Sequence, residues 1–599
     1  MVQSDYAFRA DAVATGSYTA TLQIVMYGLT IGNHRTVVSI NGNPIADTTW
    51  SGPGSQIITI PFPQAYLAQA SNTITISQPT ANDYAAAFLN YMDLSYQSAF
   101  DAVNDQIRFR QTASGAWQYH IAGFTDSTVA VFDISDPFNV ALMANTPAPV
   151  PPCPCAFSFA DSSAASREYI ALTQPQRKTP VSVTLDTPSN LRGAGNGADY
   201  IVVSHGTFLS NVQPLASLRA AQGLRVKVVD VQDVYDEFSD GLVDAQAIRD
   251  FLAYGYANWQ SPAPAFVLLV GSGNLDPKGY CAAPGACTEF NTPANSTLIP
   301  PYLRLVDPWL GEVASDNRLV TFNAGNPLPN MAVGRLPAYT AADVDTMVAK
   351  ILSYEQNAPT GDWRGKIAFV ADNAYSSTGT AEPAGNFWNL SDQTTSALPA
   401  GYTVERIYYN PCDSTAFPQC ALPYPPYPSN ASVRSGIVNA INDGRLVVNY
   451  FGHSAIKFWA HESLFRFDEL SALANGNKMP MMLEMTCYSG YFAFPGLASL
   501  AEKNIRLAGT GSIANWAASG LGVATGHDLL AQGFFDAVLN QSVLQIGAAT
   551  VLGKTHLWLN GGANSDLIDT FILFGDPATR LAVSSSRVPV GIYLPLVTR

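Results

Sequence analysis

Apolar and polar residues alternate through roughly the first hundred positions of the chain, in short runs separated by turn signals. Three such runs are YTATLQIVMYG (18–28), HRTVVSING (34–42) and NTITISQPT (72–80), and the segments NGNP and SGPG lie between them as turns. Strands at this spacing, with no helical pattern among them, are typical of an antiparallel β-sandwich. The pattern therefore predicts an N-terminal all-β region, a sandwich of jelly-roll type.

The β pattern continues from residue 105 to residue 187. Its strand-like runs include WQYHIAG (117–123), REYIALT (167–173) and VSVTLDT (181–187), and the loop MANTPAPVPPCPCAF interrupts them. Spacing alone does not say which strands share a sheet. This tract could form a second small β-domain or the far half of the first.

From about residue 196, strongly apolar runs alternate with helical patterns. YIVVS (200–204), LRVKVVDV (224–231) and AFVLLVGSG (265–273) are separated by helix-like segments. Runs that do not alternate are covered on both faces, as in a parallel sheet between helices. A second round begins at KIAFVADN (366–373) and includes a strand predicted at IRLAGTGS (505–512). We therefore predict an α/β region made of two side-by-side subdomains.

The chain length agrees with several domains, because 599 residues exceed what a single core of ~150 residues would use. The predicted segments are a β-sandwich at 1–102, a second β segment or linker at 103–195, α/β subdomains at 196–360 and 361–582, and an apolar tail at 583–599.

The charge excludes some classes of partner. The net charge is −15 and no cluster of Lys and Arg occurs, so the chain has nothing that would neutralise a nucleic-acid backbone. Apolar stretches are shorter than about 12 residues, whereas a membrane helix needs ~20. The segment VQSDYAFRAD after Met1 has neither a basic nor an apolar region, so it does not read as an export signal. A mature form from which a signal had been removed would look the same.

The seven cysteines divide into three near-neighbour pairs and one odd residue. The pairs lie in Pro- and Gly-rich loops, whereas Cys487 ends an apolar run. Local loop-closing disulfides fit an oxidising compartment and leave one free thiol, although six unpaired loop thiols in a cytosolic protein are the alternative. None of the spacings is CxxC and no histidine lies near them, which argues against a zinc site. The predicted disulfide residues are Cys153 with Cys155, Cys281 with Cys287, and Cys412 with Cys420.

Two apolar runs each end in one reactive side chain. The run Leu446–Phe451 is followed by His453, and the run Met479–Met485 is followed by Cys487. The carboxyl ends of neighbouring parallel strands meet at one sheet edge, where ligands bind in such folds. A histidine at a strand end is more often structural, and a buried cysteine is more often a small apolar residue. Together at one edge, however, an imidazole and a thiol form a base and its nucleophile.

The residues around this pair resemble a known family. The segments YFGHS and TCYSGYF look like the two signature strands of the gingipain family of cysteine peptidases, peptidase family C25, which has a caspase-like fold. Further segments are similar and occur in the same order: YDEFSDGLVDAQAIRDFL, NMAVGRLP, VADN, NWAAS and FGDP. The resemblance covers about residues 196–582. The upstream β segments resemble, more weakly, those of larger members such as the type IX secretion sortase.

The resemblance implies roles for individual residues. Cys487 would be the nucleophile and His453 its general base and acid, and the backbone N–H groups of Ser454 and Cys487 would form the oxyanion hole. Trp516 would form a wall of the S1 pocket. The family also has an acidic residue that orients the histidine. Three candidates for that acid stay open: Glu382, Asp392 and Asp372.

The sequence also departs from the family. Ser454 stands where a glycine usually follows the histidine, and a serine would fit poorly if that position needed a positive φ. The acidic S1 floor has no match, so a preference for basic P1 residues is only an expectation. Calcium is common in the family and the loop SDN (315–317) could host it, but no EF-hand-type loop occurs, and no other cofactor is implied.

The resulting prediction is a secreted cysteine endopeptidase, extracellular or on the cell surface, that acts on proteins or peptides. Its oligomeric state is open. A sortase-like transpeptidase, in which an amine replaces water, is the alternative among enzymes. Outside the enzymes, the alternative is a surface or adhesion module that keeps the peptidase fold with weak or no activity.

Overall fold

The structure, a computed structural model, describes residues 2–28, 30, 32–52, 54–79, 87–143, 155–277, 297–308, 310–522, 525–561 and 565–583. The chain divides into two compact units, Met1–Asp186 and Thr187–Arg599. Among the described residues, none of the helices combines the length and the apolarity that crossing a membrane requires.

The first half of the N-terminal unit is a β-sandwich. Its strands are β1 (Val2–Ala10), β2 (Thr19–Gly28), β3 (Asn33–Ile40), β4 (Asn43–Ser51), β5 (Gly54–Pro63), β6 (Ala70–Gln78) and β7 (Ala87–Ser95). They form two antiparallel sheets, in the orders β1-β6-β3-β4 and β5-β2-β7. Alternate residues of both sheets, such as Leu22, Ile24, Ile74 and Ile76, enter one core. The prediction of an N-terminal all-β region is confirmed, whereas its jelly-roll type stays a prediction.

The second half of this unit has its own small core. Its strands are β8 (Gln106–Gln111), β9 (Gly115–Phe124), β10 (Ala130–Asp133), β11 (Ala141–Leu142), β12 (Cys155–Ser163) and β13 (Arg167–Leu172). Stacked and tilted aromatic rings fill the space between these strands. The ring centres of Tyr119 and Phe159, for example, are 4.7 Å apart. The strand predicted at residues 181–187 is wrong. Val181, Val183 and Leu185 are fully exposed there, because alternation forms a strand only where a partner strand and a core are available.

The second unit is built from alternating strands and helices. Its strands are β14 (Tyr200–Ser204), β15 (Val226–Asp230), β16 (Phe266–Val270), β17 (Leu303–Asp307), β18 (Gly311–Ala314), β19 (Ala332–Leu336), β20 (Lys366–Ala371), β21 (Thr403–Tyr408), β22 (Val447–Phe451), β23 (Ser454–Ala455), β24 (Phe458–Trp459), β25 (Phe465–Arg466), β26 (Met481–Met485), β27 (Ala514–Ala518) and β28 (Phe571–Phe574). Its helices are α1 (Leu209–Ala221), α2 (Val231–Phe238), α3 (Ala245–Asn258), α4 (Asp316–Leu319), α5 (Ala341–Asn357), α6 (Phe387–Ser396), α7 (Asn430–Asp443), α8 (Phe467–Leu470), α9 (Leu500–Ile505), α10 (His527–Phe535), α11 (Ile546–Gly561) and α12 (Ser565–Thr570).

Ten of these strands form one sheet, in the order β15-β14-β16-β19-β28-β27-β26-β22-β20-β21. Every residue of β14, β16, β22, β26 and β27 is buried, so the sheet is covered on both faces as predicted. The sheet is not parallel throughout, however, because β28 runs antiparallel to β27. The short apolar run of β28 carries no information on strand direction, so the sequence pattern could not show this reversal. The prediction of an α/β region is confirmed, with a mixed sheet in place of a parallel one, whereas its division into two side-by-side subdomains stays a prediction.

The strand predicted at residues 505–512 is also wrong. Helix α9 begins at a capping box between Ser499 and Glu502 and ends at Ile505. Gly509 and Gly511 then adopt φ values of 64° and 77°, which turn the chain rather than extend it. The strand at this place in the sheet is β27, which contains the first four residues of the NWAAS motif.

A buried ion-pair cluster links the segment after β28 to helix α1. Asp576 follows β28 in the FGDP motif and accepts hydrogen bonds from Arg219 of α1 at 2.8 Å and from the Tyr200 hydroxyl at 2.9 Å. Arg219 also donates two bonds of 2.8 Å to Glu355 of α5. Arg219 and Asp576 have no exposed side-chain surface. The FGDP motif is thus part of the interior of this unit.

Candidate active site

Strands β22 and β26 carry the histidine and the cysteine to one edge of the sheet. The two strands are parallel neighbours, with Phe451 opposite Met485, so His453 and Cys487 each lie two residues beyond the same level. The loops that follow are tied together. The Thr486 hydroxyl donates to the Gly452 carbonyl at 2.6 Å, and the Ser454 hydroxyl donates to the Cys487 carbonyl. The two reactive residues therefore lie on adjacent loops that hold each other in register.

Gly452 is required for the tight turn before the histidine. A Cβ atom at this position would lie 2.3 Å from the Tyr450 hydroxyl oxygen and 2.5 Å from the Cβ of Asp372. The Tyr450 hydroxyl donates to the His453 carbonyl at 2.7 Å, and its ring stacks on Trp459 at 4.3 Å. The backbone of His453 is thus held in place by the buried side chain of Tyr450, which is itself packed on Trp459.

One of the three candidate acids contacts the histidine ring. Oε1 of Glu382 lies 3.3 Å from Nε2 of His453, and the edge of the Phe387 ring packs on the imidazole with the ring centres 5.3 Å apart. An ionised carboxylate only accepts hydrogen bonds, so a bond between the two requires the tautomer that carries the proton on Nε2. In the neutral imidazole, Nδ1 is then the nitrogen free to accept a proton.

Asp372, the second candidate, contacts the backbone of His453 rather than its ring. It is buried and accepts the N–H groups of His453 at 3.2 Å and of Asn373 at 2.9 Å. Burial raises the pKa of Asp372 to about 7, although these two N–H bonds oppose the shift. Asp372 therefore holds the turn that carries the histidine.

The carboxylate of Asp392, the third candidate, is occupied elsewhere. It accepts from Arg406 at 2.8 Å and from the hydroxyls of Tyr408 at 2.9 Å and Tyr424 at 2.6 Å. These partners anchor α6 to the end of β21 and the following loop. Asp392 has a structural role, and the structure brings only Glu382 of the three candidates to the imidazole.

The thiol of Cys487 lies against the backbone of Gly522. Its Sγ donates to the Gly522 carbonyl at 3.4 Å and accepts from the Gly522 N–H at 3.5 Å. Burial raises the pKa of the thiol; the Gly522 N–H opposes this shift, and the charge of Asp307 adds to it. Tyr488, the next residue, has a φ of 49°, so the chain turns sharply at the nucleophile. In this state the cysteine is a protonated thiol.

Ser454 fits its position without strain. The positive-φ residues of the described chain do not include it, so the serine meets no penalty where the family usually has glycine. The Ala460 N–H donates to the His453 carbonyl at 2.6 Å, which makes Ser454 and Trp459 a non-hydrogen-bonded pair of the β23/β24 ladder. The N–H of Ser454 consequently points away from β24.

Trp516 does not lie where a pocket wall would be. It is fully buried in β27, where its ring meets Phe571 edge-on at 5.5 Å and packs beside Phe534 at 6.1 Å. Its ring has no exposed face that could meet a substrate side chain. The prediction of an S1 wall at Trp516 is therefore wrong in this structure, because both faces of β27 are covered and every side chain of the strand is buried.

The cysteines and the SDN loop were the remaining candidates. Cys412 and Cys420 form a disulfide with Cα atoms 6.1 Å apart, and Cys155 is disulfide-bonded. Cys487 is a free thiol. The other three cysteines lie outside the described residues: Cys153, Cys281 and Cys287.

The SDN loop does not fit a calcium ion. Both oxygens of Asp316 pair with Arg335 at 2.7 Å, and Ser315 donates to Asp569. Within the part of the chain that the structure describes, no group of three or more His, Cys, Asp or Glu side chains could hold a metal. Structural calcium elsewhere stays a prediction.

Sequence reasoning missed two residues beside the thiol, Gly522 and Asp307. Gly522 lies in a loop with no motif of its own. Asp307 is the last residue of β17, after the run LRLV, so it is a polar side chain at a strand end, as His453 and Cys487 are. It could have been found by applying that criterion to every strand.

Comparison with known proteins agrees with the sequence motifs. The model of peptidase family C25 matches residues 194–582. Gingipain R2 and gingipain R1 of Porphyromonas gingivalis are each 23% identical over 401 residues, which is 64% of this chain but only 46% and 34% of those proteins. This chain therefore spans less than half the length of these relatives.

Two solved structures are similar at low identity. The Arg-specific cysteine proteinase gingipain R matches at 19% identity with a TM-score of 0.49, covering 66% of this chain and 80% of that one. Dimeric latent PorU from Porphyromonas gingivalis matches at 19% with a TM-score of 0.46, covering 60% and 36%. On the match of the family model to most of its length, the chain belongs to peptidase family C25, the gingipain family of cysteine peptidases.

Proposed function

We propose that the protein is a cysteine endopeptidase in which Cys487 attacks the peptide carbonyl and His453 moves the proton. The observation that carries this proposal is the paired register of β22 and β26, which places the two residues on adjacent loops joined by the bonds of Thr486 and Ser454. The contact of Glu382 with Nε2 supports it, because that contact leaves Nδ1 as the basic nitrogen.

The acylation step follows from these assignments. The thiol proton passes to Nδ1 of His453 as the sulfur bonds to the carbonyl carbon, and the carbonyl oxygen becomes an oxyanion. The N–H groups of Ser454 and Cys487 donate to that oxyanion. When the C–N bond breaks, His453 returns the proton to the leaving amine, and a thioester remains on Cys487.

Deacylation repeats the sequence with water. His453 takes a proton from water as the oxygen attacks the thioester, the C–S bond breaks, and the proton returns to the sulfur. The product is the carboxylic acid and the free thiol. An amine at the same point would give a transpeptidase product, so the acceptor decides between the two reactions.

Burial of the thiol affects how the reaction begins. Since burial raises the pKa of Cys487, a standing thiolate is disfavoured and proton transfer must accompany the attack. This makes the histidine essential for the first step as well as for leaving-group protonation.

Substrate and location belong to the same proposal. We expect protein or peptide substrates, with a preference for basic P1 residues to be tested on a peptide library. An extracellular or surface location is supported by the Cys412–Cys420 disulfide, because such bonds persist in oxidising compartments.

Active-site labelling tests the proposed function. We expect a peptidyl acyloxymethyl ketone to label Cys487, as located by peptide mapping, and to block peptide hydrolysis in parallel. Cys487→Ser should remove both the label and the hydrolysis, whereas the disulfide residues should stay unlabelled. An active protein labelled elsewhere, or a folded protein without any labelling, would rule out Cys487 as the nucleophile. Product masses with and without an added amine separate hydrolysis from transpeptidation.

The role of Glu382 gives a second prediction. Glu382→Gln removes the charge that stabilises the imidazolium and fixes its tautomer, so kcat should fall roughly tenfold or more with KM little changed. Steady-state kinetics on a fluorogenic peptide measure this. Asp392→Asn is the matched control, since its carboxylate is bonded to Arg406, Tyr408 and Tyr424. Equal kcat values for the two variants would remove Glu382 from the mechanism.

A further inference from the structure

One buried carboxylate beside the site has no part in the mechanism above. Asp307 ends β17, which pairs with β18 in a separate two-stranded sheet. It is 2% exposed. A buried carboxylate is costly unless donors satisfy it, so its bonding partners show what it holds.

The donors to Asp307 come from different segments of the chain. Its Oδ2 accepts the Leu521 N–H at 2.6 Å and the Tyr488 hydroxyl at 3.0 Å. Its Oδ1 accepts the Leu310 N–H at 2.8 Å. Leu310 belongs to the loop that follows Asp307, whereas Tyr488 and Leu521 lie in the two segments beside the Cys487 thiol.

Both of the flanking segments touch the nucleophile directly. Leu521 precedes Gly522, whose N–H and carbonyl lie 3.5 and 3.4 Å from the sulfur of Cys487. Tyr488 follows Cys487, and its φ of 49° makes it a position that needs support from side-chain contacts. The Tyr488 N–H also donates to the Gly520 carbonyl at 3.2 Å, so the two segments are joined to each other as well as to Asp307.

The negative charge of Asp307 has a cost at this place. It lies close enough to disfavour the thiolate and adds to the raised pKa of Cys487. A neutral acceptor could serve part of the same donor set without that penalty. Asp307 therefore has one measurable effect that a residue needed only for folding would lack: its charge raises the pKa of the Cys487 thiol.

We propose that Asp307 is a positioning residue of the peptidase site, whose carboxylate fixes Tyr488 and the Leu521–Gly522 segment in the arrangement that holds the sulfur of Cys487 for attack. This inference rests on the proposed function for its catalytic meaning. Its contacts with the thiol environment do not depend on which acyl acceptor the enzyme uses.

The test combines turnover with alkylation of the thiol. In Asp307→Asn we expect kcat to fall about tenfold to a hundredfold while KM changes little, because the sulfur is displaced rather than the substrate subsites. The rate of iodoacetamide alkylation at Cys487, followed by mass spectrometry across pH, should show its inflection at lower pH than in the wild type. The inflection moves to lower pH because removing a nearby negative charge favours the thiolate and so lowers the pKa of the thiol. The variant keeps the other ionisable groups around the thiol, which are His453, Tyr450, Tyr488 and the buried His527 behind Gly522. Among them, Tyr488 loses the charge and the hydrogen bond by which Asp307 raises its pKa.

Two further comparisons separate position from charge. Asp307→Glu keeps the charge but adds a methylene group in a buried site, which displaces the carboxylate. We therefore expect kcat to fall while the alkylation inflection stays at its wild-type pH. Tyr488→Phe removes one donor to Asp307 and should lower kcat about two- to tenfold. Tyr491→Phe is its matched control, because it removes the same hydroxyl from a neighbouring ring 6.0 Å away.

The possible outcomes are distinct. A folded Asp307→Asn protein whose kcat and alkylation profile both match the wild type would overturn the proposal. If that variant does not fold, equal kcat values for Tyr488→Phe and Tyr491→Phe would overturn it. A wild-type protein without Cys487-dependent hydrolysis would count against the proposed function instead, and the alkylation profiles would then decide the placement of Asp307 on their own.

Discussion

Replacing His453 by alanine should lower kcat/KM for peptide hydrolysis by about 10²–10⁴-fold, the range lost with a general acid–base group. The reason is the raised pKa of the Cys487 thiol, which leaves the proton on sulfur until a base removes it. The leaving amine also loses its proton donor. Labelling of Cys487 by an acyloxymethyl ketone should slow in parallel, as measured by steady-state kinetics and by the rate of covalent modification.

His461→Ala is the matched control for this prediction. The ring of His461 lies 6.0 Å from that of His453 but in the exposed turn after β24. The alanine substitution at His461 should leave kcat/KM within about twofold of the wild type, because most substitutions at exposed positions have small effects. A His453→Ala protein that keeps its turnover, or a His461→Ala protein that loses it, would contradict the assignment of the base.

Replacing Asp576 by alanine should lower the free energy of unfolding of the second unit by about 3–5 kcal/mol. Arg219 has no exposed side-chain surface and would keep only Glu355 as its ionised partner. The Tyr200 hydroxyl and the Ala578 N–H would lose their acceptor as well. Urea unfolding of the full chain, followed by pulse proteolysis, measures the change in the transition of this unit.

A partly exposed ion pair of the same unit supplies the comparison. Asp443 is 55% exposed and pairs with Arg445 and Lys366. Asp443→Ala should cost no more than about 1 kcal/mol, as exposed pairs usually do. If the two variants lowered stability equally, the buried cluster would not be what holds the FGDP segment in place.

The sequence motifs were sufficient to predict the pair of reactive residues and the family. His453 and Cys487 each follow a non-alternating apolar run, and that local pattern survives folding because every residue of both strands is buried. Adjacent parallel strands then bring their ends together as a matter of topology. The all-β character of the N-terminal unit was predictable for a similar reason, since period-two alternation reports a one-sided core.

Other features depend on contacts between distant segments, which a single sequence does not show. Glu382 could not be chosen over Asp372 and Asp392, because all three lie far before the histidine in the chain, with β21, α7 and β22 in between, and only packing decides which reaches the ring. Trp516 was assigned from a motif, whereas β27 is covered on both faces and its ring is buried. The direction of β28 was also hidden, since four apolar residues pair equally well either way.

The place of β28 has a consequence for how the protein is made. This strand lies between β19 and β27 in the middle of the sheet, although it is the last strand in the described chain. At ~5–20 residues per second, several seconds of synthesis separate Cys487 from Phe574. Until β28 is made, β19 presents an open strand edge, and so does β27 (Ala514–Ala518) once it has been synthesised; such edges can pair with other chains. Slow translation of residues 488–574 should therefore increase aggregation of the nascent chain, while the stability of the completed protein is unchanged.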